Sequence, residues 1–194
     1  MVVNVHIRQA VAKDADAIAE LLILSVRTLC IQDYTDEQIE VILDRQNPKS
    51  YLARIKNQAE TIFVAQNETN KIVGFASLNK NGGQINDLFV HPDYIRRGIA
   101  TLLIENLEQT ARQKVSRLSV TSSLTGRSFY SACGYEYIKD SAIVDSKTKI
   151  KVPCVRMVKV FARSNYFYSN NAEWRSTITL WQFIWLIRKI LLGN

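Results

Sequence analysis

The sequence predicts an α/β protein of the α+β kind, with a mixed β-sheet of about seven strands flanked by helices and a helical extension at its C-terminus. Three observations predict it. Short alternating runs joined by polar turns mark three consecutive antiparallel strands between residues 61 and 90. A leucine-rich helical stretch then separates two strands, which makes a crossover and therefore a parallel pair. Two further strand-like runs close the pattern before residue 162.

The elements follow in order. Val2 to Arg8 alternates weakly and reads as a strand. Asp14 to Leu29 reads as a helix, with Ala17, Ile18, Leu21, Leu22 and Val26 as its apolar stripe. Thr35 and Gln38 fit a capping box for a short helix ending at Leu43. Asn47-Pro48 opens another, to about Lys56. Strands are expected at Thr61 to Ala65, Ile72 to Leu78 and Gln84 to Val90. A long helix follows Gly98, with Ile99, Leu102, Leu103, Leu107 and Ala111 on its buried face. Arg117 to Thr121 is the next strand. A helix over Gly126 to Cys133 stops at Gly134, and strands at Tyr135 to Val144 and Ile150 to Phe161 complete the sheet.

The chain has 194 residues, enough for one domain with a sizeable core and too few for two ordinary ones. Its 47% hydrophobic and 22% charged residues exclude a mainly disordered chain. Net charge is +7, which suits a polyanion such as a nucleotide, RNA or an anionic membrane without choosing among them. Cys30, Cys133 and Cys154 are too widely spaced for a disulfide framework or a CxxC metal site. They point to a reducing, cytoplasmic compartment, and the start shows no secretory pattern. With His6 and His91 as its only histidines, the chain is expected to hold no metal.

The chemistry lies between Arg96 and Thr101. A helix start presents unpaired N–H groups and the positive end of the dipole, so it binds anions. Gly98 would let a phosphate approach the backbone, Ala100 is small, and Arg96 and Arg97 add charge. Alone, the segment reads equally as a pyrophosphate cradle or as a glycine turn with solvated arginines. A P-loop and a GxGxxG fingerprint are both missing.

The run Leu88-Phe89-Val90-His91-Pro92-Asp93-Tyr94, followed by Arg96-Arg97-Gly98-Ile99-Ala100 and a leucine-rich helix, resembles the acetyl-CoA-binding motif of the GNAT superfamily of N-acetyltransferases. Phe129-Tyr130-Ser131-Ala132-Cys133-Gly134-Tyr135 is similar to that family's second signature. Ile95, Ser123 and Gly126 depart from the pattern, standing where the family usually has Gln or Arg, Asn, and Ala. The resemblance spans residues 1–161 as one acetyltransferase domain. It implies a splayed sheet, acetyl-CoA as co-substrate, and direct transfer to a primary amine of a small molecule or peptide in a ternary complex.

It also implies roles. Phe89 and Val90 would give main-chain hydrogen bonds to the pantetheine arm. Arg96, Arg97, Gly98, Ile99, Ala100 and Thr101 would hold the pyrophosphate, and Ser123 would bond the arm. Tyr130 would protonate the leaving sulfur; its alternative is a core aromatic. Asp87, the only acid on the key strand, is the candidate base; its alternative is a strand-edge carboxylate. Ser25 to Leu43 and Val144 to Pro153 would shape the acceptor site, with Arg27, Asp33, Tyr34 and Glu37 as candidates. Rival functions are a non-catalytic acyl-CoA-binding module and acetylation of a protein N-terminus or a charged tRNA. Nucleic-acid binding as the main role is not expected.

Residues 162–194 form an extension that holds seven of the chain's aromatic residues and all three tryptophans. Ile178 to Leu192 reads as an apolar helix there. Packing on its own domain or in a homodimer is preferred over contact with a membrane surface.

Overall fold

A computed structural model describes residues 4–44, 46–58, 60–79 and 83–161. The expected extension, its apolar helix and any dimer or membrane contact through it lie outside these residues. Seven strands form one sheet in the order β1-β2-β3-β4-β5-β7-β6. They are β1 (His6–Gln9), β2 (Glu60–Gln66), β3 (Ile72–Asn79), β4 (Gln84–Val90), β5 (Arg117–Ser123), β6 (Glu136–Val144) and β7 (Lys151–Val160). Every neighbouring pair is antiparallel except β4 and β5. This is the mixed sheet with one crossover that the sequence predicts.

Among the described residues five α-helices accompany it: α1 (Ala15–Leu29), α2 (Asp36–Leu43), α3 (Pro48–Lys56), α4 (Ile99–Arg112) and α5 (Arg127–Ala132). Local chemistry sets their starts. The Thr35 hydroxyl accepts from the Gln38 N–H at 3.4 Å while the Gln38 side chain accepts from the Thr35 N–H at 3.1 Å. The Asn47 side chain accepts from the Ser50 N–H at 3.0 Å, just ahead of Pro48. Gly134 ends α5 with φ 83°, a left-handed conformation that suits glycine.

The sheet separates two cores. On one face α4 buries Ile99, Leu103, Ile104, Leu107 and Ala111 against Val73, Ala76 and Leu118. The expected stripe is corrected at one position: Leu102 is exposed and Ile104 is buried in its stead. On the other face α1, α2 and α3 bury Ile18, Leu22, Val26, Ile39 and Tyr51 against Phe75 and Val64. Burial of such side chains contributes roughly 1.5–3 kcal/mol each.

Two irregularities shape the centre. First, Ser77 pairs with Asp87 and Leu78 with Ile85, so Asn86 is an extra residue in β4. Such a bulge bends the strand and re-aims its neighbours. Second, β4 and β5 pair only at Gln84–Ser119 and Ile85–Val120. Beyond Ile85 the two parallel strands separate and leave a wedge.

Candidate active site

The wedge opens into a cavity of about 590 Å³. Three structural ends converge on it: the C-terminal half of β4, the N-terminus of α4, and the turn from β5 into α5. Its far side is closed by the C-terminal part of α1, by α2, and by the β6–β7 hairpin.

The α4 start is built for an anion. Leu102 N–H gives the first helical bond, to the Gly98 carbonyl at 3.0 Å. The N–H groups of Gly98, Ile99, Ala100 and Thr101 therefore have no acceptor within the helix. Gly98 adopts φ 82°, and a Cβ placed on it would meet no atom within 4 Å. Glycine is thus required for the backbone turn and leaves clear space above the amides. Gly98, Ile99, Ala100 and Thr101 all line the cavity.

The two arginines divide. Arg96, itself left-handed at φ 58°, lines the cavity. Arg97 does not; its guanidinium sits 5.2 Å from the Tyr94 ring centroid. Of the two arginines expected to help hold the pyrophosphate, Arg96 is thus the one that lines the cavity.

In β4 the strand register distributes the main chain. His91 N–H donates to the Val73 carbonyl at 2.9 Å, and Gly74 opposes Val90. Alternation along an antiparallel ladder then commits the N–H and C=O of Phe89 to Phe75 in β3. Leu88 and Val90 turn theirs toward the wedge. The register thus turns the main chain of Leu88, and not the expected Phe89, toward the wedge; Phe89 still lines the cavity, and its ring stacks on Phe75 at 5.7 Å. Val90 keeps its place, and its carbonyl accepts from the buried Ser25 hydroxyl at 2.9 Å.

Tyr130 comes from α5 and is 6% exposed. Its ring packs edge-on against Phe129 and Tyr135, with centroids at 5.4 Å to each. No hydrogen bond among the described residues engages its hydroxyl, and the residue lines the cavity. Burial, with a further push from the Asp87 carboxylate, raises the phenol well above its ordinary value. It therefore stays protonated at neutral pH, as a proton donor must.

Ser123 also lines the cavity. Its hydroxyl accepts from the Gly126 N–H at 3.1 Å and so shapes the turn into α5, leaving its own proton free to donate.

Asp87 is placed elsewhere. Its carboxylate binds the Arg54 guanidinium and accepts from the Ser77 hydroxyl at 2.6 Å. Arg54 also binds Glu60, at 2.5 and 3.1 Å, and lies over the Tyr51 ring at 4.6 Å. Asp87 is 8% exposed and does not line the cavity. The carboxylate, on the bulged strand, is committed to the half-buried Arg54 guanidinium, so a role as base, direct or through water, would have to be played from behind the cavity wall.

On the acceptor side Tyr34 is brought in and three candidates are not. The Tyr34 hydroxyl donates to the Pro153 carbonyl at 2.9 Å and accepts from the Leu124 N–H at 2.8 Å. It pins the α1–α2 loop to β7 and to the β5–α5 turn. Arg27 pairs with Glu40 at 2.8 Å, Asp33 accepts from Thr125 at 2.5 Å, and Glu37 is exposed; none of the three lines the cavity. Sequence reasoning placed Ser25 in the acceptor segment without its bond to Val90, and it missed Arg54. Arg54 meets a partner 33 residues away, and no local pattern signals such a pairing.

Comparison with known proteins agrees with this geometry. The profile of the acetyltransferase (GNAT) domain family matches residues 30–159. An uncharacterized N-acetyltransferase of Escherichia coli strain K12, YafP, is 28% identical over 142 residues, which span 72% of this chain and 87% of YafP. A GCN5-related N-acetyltransferase from Rhodopseudomonas palustris superposes with a TM-score of 0.74 at 27% identity, covering 83% of this chain and 99% of that one. PaiA N-acetyltransferase from Thermoplasma acidophilum, solved with coenzyme A, shares the fold with a TM-score of 0.66 at 18% identity, over 81% of this chain and 99% of its own.

Proposed function

Since the chain belongs to the GNAT acetyltransferase family and is an acyltransferase, we propose that it moves an acetyl group from acetyl-CoA to a primary amine by direct attack, with Tyr130 as the acid. When bound, the co-substrate supplies a thioester: the amine nitrogen bonds the carbonyl carbon, the C–S bond breaks, one proton leaves nitrogen and one reaches sulfur. The residues present fit such a molecule. The amides of Gly98 to Thr101 and the Arg96 side chain suit a pyrophosphate. The main-chain groups of Leu88 and Val90 face the wedge, where an extended amide-bearing arm replaces the missing strand pairing. The Ser123 hydroxyl proton is available to the same arm.

The observation that carries the reading is the free phenol of Tyr130 in the same cavity as the α4 N-terminus. Its raised pKa keeps the proton in place until sulfur takes it. Asp87 acts as a positioning group through Arg54 and Ser77, and the amine's proton leaves to water.

Tyr130→Phe tests this. The variant should bind acetyl-CoA as tightly as the parent by calorimetry, while release of CoA thiol with an amine acceptor slows by roughly 10²–10⁴. Unchanged turnover removes Tyr130 from the chemistry. Acetyl-CoA binding by the parent chain without turnover of any amine favours the rival reading of a non-catalytic acyl-CoA-binding module.

A further inference from the structure

The acceptor side of the cavity has an unusual wall. Val26, Leu29, Tyr34, Ile42, Ile143 and Val152 form it. Among the described lining residues of the whole cavity, Arg96 is the single charged side chain, and it belongs to the α4 end. No carboxylate is among these described lining residues. Of the acids on the flanking elements, Asp33 accepts from the Thr125 hydroxyl, Glu40 pairs with Arg27, and Asp145 accepts from the Thr148 N–H at 2.6 Å. The other ionisable groups among the described lining residues are the thiols of Cys30 and Cys154 and the phenols of Tyr34, Tyr94 and Tyr130. Burial raises Cys30, Tyr34 and Tyr130, so these three are neutral at neutral pH.

An ammonium that enters this chamber leaves hydration behind and meets no carboxylate among the described lining residues; Asp33 stands behind Thr125. A polyamine or an aminoglycoside would bring several such charges. An amino group on an aromatic ring meets neither obstacle. Its lone pair is delocalised into the ring, so the nitrogen is uncharged at neutral pH. Its ring is apolar and offers flat faces to Tyr34 and Phe89.

We propose that the acceptor is an arylamine. The inference rests on the acetyl transfer proposed above. The nitrogen already lacks the ammonium proton, so it attacks directly; as the amide forms and the C–S bond breaks, it gives up one N–H proton to water, Tyr130 delivers one to sulfur, and water restores the phenol. No side-chain base is needed, which matches the commitment of Asp87 to Arg54.

The test compares three acceptors on the full chain at saturating acetyl-CoA and neutral pH: 4-methoxyaniline, benzylamine and spermidine. The expected kcat/KM for 4-methoxyaniline exceeds that of each of the others by about tenfold or more. A second measurement uses Ile143→Glu, at a 56% exposed position on the edge strand β6 where a carboxylate is tolerated by the fold. That variant should lose about tenfold toward the arylamine relative to spermidine. Equal or better turnover of spermidine or benzylamine by the parent overturns the inference, as does an unchanged ratio in the variant. Calorimetric binding of acetyl-CoA without arylamine turnover overturns this inference alone; absence of acetyl-CoA binding overturns the acetyl-transfer reading and this one with it.

Discussion

Replacing Gly98 by alanine should separate the cradle from the fold. Gly98 sits at φ 82°, and its missing Cβ points at empty space. An L-residue in that conformation costs about 1–2 kcal/mol. The less flexible unfolded chain returns about 0.4–1 kcal/mol. The net loss is about 1 kcal/mol, which for a chain of this size lowers Tm by about 2–4 °C. The new methyl group projects into the space above the α4 amides. If it displaces one hydrogen bond to a charged phosphate oxygen, about 1.5–3 kcal/mol is lost. Affinity for acetyl-CoA should then fall roughly 10- to 150-fold. Gly134→Ala is the control, because Gly134 has φ 83° at the other end of a helix and its nearest atom, Lys159 Cε, is 3.7 Å from the added Cβ. It should show the same small Tm loss with unchanged affinity. Calorimetry and thermal unfolding of both variants decide the matter. Equal affinity in Gly98→Ala and the parent refutes the assignment of this space to a phosphate.

Two further outcomes are expected. Tyr51, Tyr130 and Tyr135 all have phenols pushed up chiefly by burial, so the folded chain keeps protons that the unfolded chain releases; stability is full below the unfolded phenol value of about 10 and falls above it. Urea midpoints measured from neutral to alkaline pH should stay flat to about pH 9 and then drop, with a limb that is shallower in Tyr130→Phe by up to about 1.4 kcal/mol per pH unit; a midpoint that declines from neutral pH would contradict this. Arg54→Met leaves Glu60 and Asp87 near each other with no cation between them, which should cost about 3 kcal/mol and lower Tm by about 6–12 °C; a Tm within 2 °C of the parent, by differential scanning calorimetry, would mean that the pair is solvated in solution.

Much of this architecture is legible in the sequence because its signals are local. Gln84 to Val90 alternates between turn residues and emerges as a strand with the same bounds. Thr35 and Gln38 lie three residues apart, and their reciprocal bonds need nothing from the rest of the chain. Gly98 ahead of a leucine-rich run marks the start of α4 in both. The misjudged features are those fixed across the sheet. Whether Phe89 or Leu88 offers its backbone to the wedge depends on the register with β3, which a single strand does not encode. The bulge at Asn86 carries no glycine or proline to announce it. Asp87 reads as a free acid until Arg54 folds over it from α3. Arg27, Asp33 and Glu37 share a segment with Tyr34, yet only the tyrosine has the length and apolar body to cross to Pro153.

The short pairing of β4 with β5 has a mechanical meaning. Two rungs, at Gln84–Ser119 and Ile85–Val120, are all the strand pairing that joins the half-sheet β1–β4 to the half-sheet β5–β7–β6. A ladder with so few rungs is a hinge line, stiff to sliding and soft to opening. A molecule threaded through the gap adds new rungs from both rails at once. Occupancy of the wedge therefore sets how rigidly the acceptor walls on either half face each other. In the acetyl-transfer reading proposed above, the expected order of arrival is therefore thioester first and amine second, which product-inhibition kinetics would check.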